Sequence, residues 1–465
     1  MRASSGAKSA LTAVGAALVP ALLLRGFTVD DALVSARVAS HLASGQGYRF
    51  NVPGPVVDAV TPLGFAELLA SFGPAPVLGM LERARVLGLC AWLVAAALLG
   101  VLAAGSRRGS VSVAGSLLLS APLAAWASSG METPLVTLLA TVALVDGRLG
   151  ALAAGAAAAW RPELLAWALV LVAGGALLSA DSARLRSRAL ALRLPLAVGP
   201  AVFVAWLRHS RFGSFAPLAV WAKPSDLAHG VIYAVGAGVG SGAAPLLLAP
   251  RAFMRVDRRT RVLIAAVTAH WLALILAGGD WMALYRLAVP VLPTAILAGA
   301  RLLDVVTIRA VIARTLAAAV APIWVAVTVA WPGRSVFAHR LSLIEASQPA
   351  LRGARSIACL DVGWVGAATE ASIVDLAGIT DPVIARLPGG HTTKRIENGL
   401  LENRAVDAVV LLLAPGAPVE PRWQDSAFAR GVEQRVAALP AVGDFRVRAV
   451  LPLGGTGQSY VFSGR

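Results

Sequence analysis

Two adjacent carboxylates, Asp30 and Asp31, follow the first apolar run of the chain in the stretch "GFTVDDALVSARVASHLASGQGYRF" (residues 26–50). If the segment after Val29 is helical, successive side chains differ by about 100° around its axis. Asp31 then points away from Asp30, an arrangement unfavourable for an acid and a base that flank one bond. We therefore predict one reactive carboxylate, Asp30, with Asp31 as its neighbour. The structural alternative is that Asp30 only caps its own helix and Gly45 ends it.

Three cations farther along the chain, Arg161, Lys223 and Arg286, could stabilise a departing phosphate. Phosphate is a good leaving group, so displacement by a hydroxyl needs a base but no general acid. The first carboxylate is the predicted base. Each cation also has a structural alternative. Arg161 could pair with Glu163. Arg286 could pair with Asp280, and the Lys223 side chain could extend towards the membrane surface.

Composition indicates the kind of protein that must position these residues. The 465-residue chain is 57% hydrophobic and only 14% charged, with a mean hydropathy of +0.73. Soluble domains carry about a quarter charged residues, so we predict an integral membrane protein. The net charge of +16 comes from basic residues in short loops between apolar runs, which excludes a nucleic-acid partner. Cys90 lies in an apolar run and Cys359 in the polar tail, a distribution that predicts no disulfide framework.

The apolar runs predict an α-helical polytopic protein with eleven transmembrane helices, since roughly 20 apolar residues cross a bilayer. The short run 61–73 is expected to lie on the outer face. With the N-terminus in the cytoplasm, the arginine-rich loops fall inside. This predicts a multi-pass protein of the cytoplasmic membrane. The predicted spans are 8–25, 86–105, 110–127, 132–146, 148–160, 163–180, 189–207, 229–249, 261–277, 285–302 and 309–330.

This orientation places unusual polar residues at the outer ends of the predicted spans. They are Asp30, Asp31, Asp58, Glu132, Arg161, Glu163, Arg208, Lys223, Asp280 and Arg286. Charge near a bilayer is costly unless it is solvated or paired, so their gathering predicts a lined cavity. We expect Asp58, Glu132 and Asp280 to bind substrate there. Arg37 and His41, which share a helical face with the first carboxylate, are expected to join them.

The C-terminal region has a different pattern from the rest of the chain. Its apolar residues come in short runs such as "SIACLDV" and "VDAVVLLL", which are typical of a soluble α/β domain. We therefore predict a transmembrane domain over 1–331 and a soluble outer domain over 332–465. The six histidines have no metal-ligand spacing. Neighbouring carboxylates could bind a divalent cation if folding brought them together, but we predict no obligatory metal and no cofactor.

Six segments in the same order resemble bacterial GT-C type glycosyltransferases that use polyprenyl-phosphate sugars. The closest likeness is to the actinobacterial terminal β-(1→2)-arabinofuranosyltransferases and their uncharacterised relatives. The segments begin with "DDALVSARVASHLASGQGYRFN" and continue with "SSGMETPLVTLLA", "WRPELLAWALVL", "RFGSFAPLAVWAKP", "GGDWMALYRLAVPVLP" and "DLAGITDP". The resemblance implies an inverting enzyme with its active site and C-terminal domain outside. It also implies that Asp30 is the catalytic carboxylate, with Asp31 as its neighbour. Arg161, Lys223 and Arg286 would then bind the donor phosphate.

The resemblance further implies the partners of the reaction. The donor would be a polyprenyl-phosphate-linked sugar, such as a pentofuranose, held among membrane lipid. The acceptor would be a cell-envelope glycan or glycolipid. Two other classes of protein stay open at this point. One is a lipid or polysaccharide transporter, although such proteins carry charges near the bilayer midplane rather than at one face. The other is a non-catalytic membrane scaffold whose outer domain binds glycan.

Overall fold

The structure is a computed structural model that describes residues 2–178, 182–247 and 250–465. The helices are α1 Arg2–Leu23, α2 Asp30–Ala43, α3 Phe65–Ala70, α4 Val77–Ala103, α5 Arg107–Leu119, α6 Ala121–Ala127, α7 Thr133–Val142, α8 Arg148–Trp160, α9 Leu165–Leu178, α10 Ala183–Phe212, α11 Leu218–Ala222, α12 Leu227–Gly240, α13 Ala243–Leu247, α14 Pro250–Phe253, α15 Arg258–Ala277, α16 Leu292–Asp304, α17 Ile308–Val325, α18 Trp331–Gly333, α19 Val336–Leu351, α20 Val362–Ala368, α21 Pro382–Ala385, α22 Asn398–Asn403 and α23 Gly431–Ala437. The strands are β1 Ser356–Cys359, β2 Ser372–Asp375, β3 Ala408–Leu412, β4 Arg446–Leu453 and β5 Gln458–Gly464.

Within these residues, five helices are long and apolar enough to cross a membrane, or six if the bent pair α5 and α6 forms one span. The five are Ser5–Leu23, Val77–Ala103, Ala183–Phe212, Arg258–Ala277 and Ile308–Leu351. The chain is thus a helical, membrane-embedded protein.

The predicted number of eleven spans is not confirmed. The predicted spans 132–146 and 148–160 correspond to α7 and α8, which are only 10 and 13 residues long. The span predicted over 285–302 is interrupted before α16 by a 3₁₀ segment that contains Pro290. Proline lacks the backbone N–H that a regular α-helix needs at an interior position, which explains the interruption. The predicted spans 163–180 and 229–249 end in 179–180 and 248–249, which lie outside the described residues.

The chain forms two compact units. The first unit comprises 1–28, 85–207 and 225–334. The second unit comprises 29–84, 208–224 and 335–465. The predicted boundary between 331 and 332 therefore falls near the last change of unit. The second unit, however, also takes in two earlier stretches that hydropathy had assigned to the loops of the membrane domain.

Close helix packing in the first unit depends on small side chains. Helix α15 packs against α9, α12 and α16. A Cβ atom at Gly174 of α9 would lie 2.5 Å from Val262 of α15, so only glycine permits this approach. Likewise, a Cβ at Gly155 of α8 would lie 2.2 Å from the carbonyl oxygen of Leu196 in α10. The glycine-rich and alanine-rich runs of the sequence thus bring helix backbones together.

The second unit is built around one five-stranded sheet with the order β2-β1-β3-β5-β4. Strands β2, β1 and β3 are parallel, and β5 and β4 join the sheet in antiparallel orientation. Every residue of β3 is buried, as expected for a central strand covered on both faces. Helix α2 packs against α20 and α3 in the same unit. The prediction of an α/β fold for the C-terminal region agrees with this sheet.

Candidate functional site

Asp30 is the first residue of α2, and it binds the start of another helix in the second unit. One carboxylate oxygen accepts a hydrogen bond from the backbone N–H of Gly363 (2.7 Å), and the other accepts one from Trp364 (2.9 Å). Both donors belong to the first turn of α20, where backbone N–H groups lack helical partners and favour an anion. The idea that Asp30 caps its own helix is wrong, because Val29 occupies that position. Gly45 follows the end of α2 with a φ of 76°, as predicted.

Gly363 is required for this contact. A Cβ atom at this position would lie 2.1 Å from the backbone oxygen of Asp30 and 2.9 Å from its carboxyl carbon. The absence of a side chain lets the backbone of α20 approach the carboxylate directly. The "DVGW" sequence therefore supplies a helix start that is open to an external carboxylate.

Four charged or hydroxyl-bearing side chains of the second unit form a cluster near Asp30, in which Tyr460 is buried and the other three are half-buried. The Tyr460 hydroxyl donates a hydrogen bond to Asp361 (2.6 Å), and Arg430 forms an ion pair with the same carboxylate at 2.8 Å. Arg340 donates a longer hydrogen bond to the Tyr460 hydroxyl at 3.5 Å. Sequence reasoning missed this cluster. The available signal was Asp361, which follows buried strand β1 at the carboxyl end of the parallel part of the sheet.

Burial sets the charge state of Asp30, and the cluster modifies it. Burial raises the pKa of Asp30 to about 6, against the lowering effect of Arg340, and the negative charge of Asp361 raises it further. Burial would also raise the pKa of Asp361, but Arg430 and Arg340 hold it below its ordinary value. The pKa values of the two carboxyls therefore differ. Asp361 is ionised, and Asp30 can exchange a proton near neutral pH.

Arg37 and His41, predicted to bind substrate, are held by backbone carbonyls of the second unit. The buried Arg37 guanidinium donates to Phe50 (2.8 Å), to Thr369 (2.8 Å) and to Gly366. His41 contacts the Arg49 carbonyl through Nδ1 at 3.0 Å, and burial lowers the pKa of its imidazole. These contacts favour a structural role for both residues over the predicted substrate contact.

The remaining predicted residues of the second unit differ in their partners. Buried Asp58 forms an ion pair with Arg208, which also donates to the Thr61 carbonyl at 2.6 Å. Asp31 is half-buried in the first turn of α2, beside Asp30 in sequence. The Lys223 side chain is half-buried at the end of α11. Its ammonium has no hydrogen-bond or ion-pair partner within 2–178, 182–247 and 250–465.

In the first unit, two predicted residues form a buried ion pair. Arg161 lies 2.6 Å from Glu132 and 3.7 Å from Glu163. Glu132 is fully buried, and Arg161 is only 5% exposed. The alternative pairing with Glu163 is thus present but is the longer of the two contacts. An incoming phosphate would therefore have to compete with Glu132 for the Arg161 guanidinium.

The predicted pair of Asp280 and Arg286 is also formed in the first unit, at 2.8 Å. The segment between them contains Leu284 and Tyr285 with φ values of 60° and 53°, a left-handed backbone conformation that non-glycine residues rarely adopt. Such strain persists only where surrounding structure holds it, and functional sites are a common setting.

A cavity of about 330 Å³ in the first unit is lined by Asp280 and by the rings of His229, Tyr233 and Tyr285. The His229 ring stacks on Trp281 at 4.1 Å. Aromatic faces beside one carboxylate can hold a hydroxylated ring, with the carboxylate accepting hydroxyl hydrogen bonds. Of the predicted substrate-binding residues, Asp280 is the one that lines this cavity.

No group of three or more histidine, cysteine or acidic side chains within the described part of the chain could hold a metal ion. Neither protein-family models, nor curated proteins, nor solved structures match this chain.

Proposed function

We propose that this chain is an inverting membrane glycosyltransferase. It would transfer a sugar from a polyprenyl-phosphate donor to a cell-envelope glycan or lipid on the outer side of the cytoplasmic membrane. The observation that carries the proposal is Asp30, a half-buried carboxylate whose pKa is raised to about 6. Such a group is a stronger base than an ordinary aspartate and is still mostly ionised at pH 7. The ordered resemblance to GT-C type enzymes supports the same reaction class.

In the proposed step, Asp30 removes the proton from an acceptor hydroxyl as its oxygen attacks the anomeric carbon of the donor. The bond between that carbon and the phosphate oxygen breaks, and polyprenyl phosphate leaves with the electron pair. The configuration at the anomeric carbon inverts because attack and departure occur on opposite faces. Each carboxylate oxygen has lone pairs beyond the one that binds α20. Asp30 can therefore accept a proton while it keeps its backbone contacts.

The three predicted cations differ in whether a carboxylate already neutralises their charge. Lys223 has no ion-pair partner among the described residues, so its full charge is available. Arg161 and Arg286 each lie in a carboxylate pair, at 2.6 Å and 2.8 Å. A phosphate would have to compete with those carboxylates. We therefore expect Lys223→Gln to raise the KM for the donor more than it lowers kcat.

The direct test is sugar transfer by the purified full-length protein in lipid nanodiscs, with a panel of synthetic polyprenyl-phosphate sugars. Wild type should transfer from at least one donor, with a rate that falls as pH drops below about 6. Asp30→Asn should lose at least 100-fold in kcat, since general-base catalysis contributes about 10²–10⁴. Asp425→Asn, on an unrelated 3₁₀ turn, serves as the control.

Because Asp30 also binds α20, the Asn variant needs a separate test of folding. Hydrogen exchange over 362–368 should match wild type if only the base is lost. Transfer at the wild-type rate in a folded Asp30→Asn variant would refute the assignment of the base. No transfer from any donor by a well-folded wild type would favour a non-catalytic glycan-binding scaffold. The specific observation in favour of that second candidate is that both Asp30 oxygens already bind backbone N–H groups.

A further inference from the structure

A second cavity of the first unit, of about 430 Å³, contains none of the residues assigned above. It lies among α9, α10, α15 and the loop that joins α7 to α8. Its walls combine two kinds of surface. The charged side chains are Asp146, Arg186, Arg193, Asp257, Arg258 and Arg259. Leucine and valine side chains of α9 and α15 form the apolar part, Leu171, Val172 and Leu263 among them.

The charged part of this cavity favours an anion. Four arginines face two carboxylates, which leaves a net charge of +2. Both carboxylates have defined local roles. Asp146 pairs with Arg259 at 2.9 Å, and Asp257 accepts a hydrogen bond from the Thr260 backbone N–H at 2.8 Å as the cap of α15. Among the described residues, no carboxylate lies within ion-pair distance of Arg193 or Arg258, so their charge is available to a ligand.

The setting of the cavity favours a lipid as the source of that anion. Only 6% of the most apolar stretch of α10 is buried, so this helix offers most of its surface to the bilayer. Arg186 and Arg193 lie seven residues apart on α10 and therefore project from the same face, about 10 Å apart along the axis. The charged side chains lie in or beside three stretches of chain that the arginine distribution predicts on the cytoplasmic side, the loop between α7 and α8 and the N-terminal parts of α10 and α15.

We infer that this cavity binds the phosphate headgroup of an anionic lipid from the inner leaflet. The arginines contact the phosphate, and the start of an acyl chain lies against the apolar wall of α9 and α15. Arginine recognises phosphate through paired N–H donors, and basic pockets between membrane helices commonly select anionic headgroups. The inference does not depend on the proposed glycosyl transfer.

The test uses the full-length protein in neutral detergent and native mass spectrometry with added lipid. Phosphatidylglycerol should bind at least tenfold more tightly than phosphatidylcholine, and glycerol 1-phosphate alone should not bind measurably. The double variant Arg186→Gln with Arg193→Gln should lose this selectivity. The matched control is Arg184→Gln with Arg188→Gln, which removes equal charge from the same helix at positions that do not line the cavity.

A second variant keeps every charge and fills the space. Gly175 of α9 lines the cavity, and a Cβ there would meet only an Asp146 oxygen at 3.8 Å, so Gly175→Leu projects inward without a backbone clash. It should reduce phosphatidylglycerol binding at least tenfold while the helix stays intact. Equal losses in the two arginine double variants, or unchanged binding in folded Gly175→Leu protein, would overturn the inference. Tight binding of free glycerol 1-phosphate would exclude a lipid as the required ligand.

Discussion

Asp30 combines two properties that are usually separate in proteins. Its oxygens bind the first turn of α20 at 2.7 Å and 2.9 Å, which is the behaviour of a structural anion. Burial nevertheless raises its pKa to about 6, since Arg340 offsets only part of the cost of desolvation. A carboxylate with ordered hydrogen bonds has a fixed orientation, and an elevated pKa makes it a better base. Fixation and reactivity are thus compatible at this residue.

The contact between Asp30 and α20 predicts a strong effect of a single methyl group. Gly363→Ala should destabilise the second unit by about 1–3 kcal/mol, because the added Cβ would lie 2.1 Å from the Asp30 carbonyl oxygen. Hydrogen exchange over 362–368 measures the loss. Gly399→Ala is the matched control, since a Cβ at that helical position meets nothing within 4 Å. Equal exchange in the two variants would mean that α20 does not approach Asp30 this closely.

A buried carboxyl in the same unit predicts a pH dependence of stability. Burial raises the pKa of Glu433 from 4.5 to about 7, against the charge of Arg430. The folded state then binds the proton more tightly than the unfolded state, so this group makes the second unit more stable at pH 5 than at pH 7.5. The difference is at most about 3 kcal/mol.

The check is hydrogen exchange over 408–413, since the Leu412 N–H donates to Glu433 at 3.0 Å. Glu433→Gln should reduce the pH dependence of stability between pH 5 and pH 7.5 without abolishing it, because the raised pKa of Asp30 in the same unit acts in the same direction. Glu402→Gln, on the exposed side of α22, should leave it unchanged. A wild-type protein that gains protection as pH rises over this range would contradict the direction of the shift.

At the scale of elements, α2 is tied to the C-terminal part of the second unit at two points. Asp30 binds the N-terminal turn of α20. About two helical turns farther along α2, Arg37 donates to the carbonyls of Gly366 and Thr369, towards the other end of α20. The planar guanidinium can serve several carbonyls at once because its five donors point in fixed directions. Helix α2 is therefore attached to α20 near both ends of α20.

Removing the guanidinium should loosen this attachment. Arg37→Met leaves buried carbonyls without donors, and we expect a loss of about 3 kcal/mol, with Arg37→Lys intermediate because an ammonium cannot reproduce the fork. Proteolysis of the full-length protein under native conditions should then cut within 44–56. Arg352→Met, at an exposed position after α19, is the control and should resist cleavage like wild type. Resistance of Arg37→Met would show that other contacts hold α2.

At the scale of the whole molecule, the second unit is assembled from three separate stretches of chain, 29–84, 208–224 and 335–465. The sheet lies entirely in the last stretch, but α2, α3 and α11 come from the first two. Helix α11 packs through Leu218 and Ala222 against Ala385. The predicted linear outer domain is therefore only part of the structural unit.

This assembly predicts the result of a truncation. A chain ending at 334 lacks the partners of α2, so residues 29–84 should become protease-sensitive while the helices of the first unit remain protected. Limited proteolysis of the membrane-inserted truncated protein, followed by mass spectrometry, measures both. The full-length protein, treated in the same way, provides the reference. Continued protection of 29–84 would show that this stretch folds without the C-terminal sheet.

Much of the fold follows from local patterns in the sequence. Long apolar runs predicted membrane helices, and alternating short runs predicted the α/β region, because hydropathy and its period are properties of neighbouring residues. The pairs Arg286–Asp280 and Arg161–Glu163 were also within reach of sequence reasoning, since their members are few residues apart. The number of membrane spans was harder to predict from the sequence. Whether a short apolar helix such as α7 crosses the bilayer depends on what packs around it, which composition does not record.

The sequence by itself determined a helical membrane protein with a C-terminal α/β region and a carboxylate pair after its first helix. Only the tertiary structure decided which groups surround that pair. Gly363 lies 333 residues from Asp30, and Arg340 of α19, Asp361 before α20 and Tyr460 of β5 come from separate parts of the chain. Contacts over such separations arise from packing rather than from local pattern. The pKa of Asp30 depends on these contacts, so the property that makes it a candidate base appears only in the folded chain.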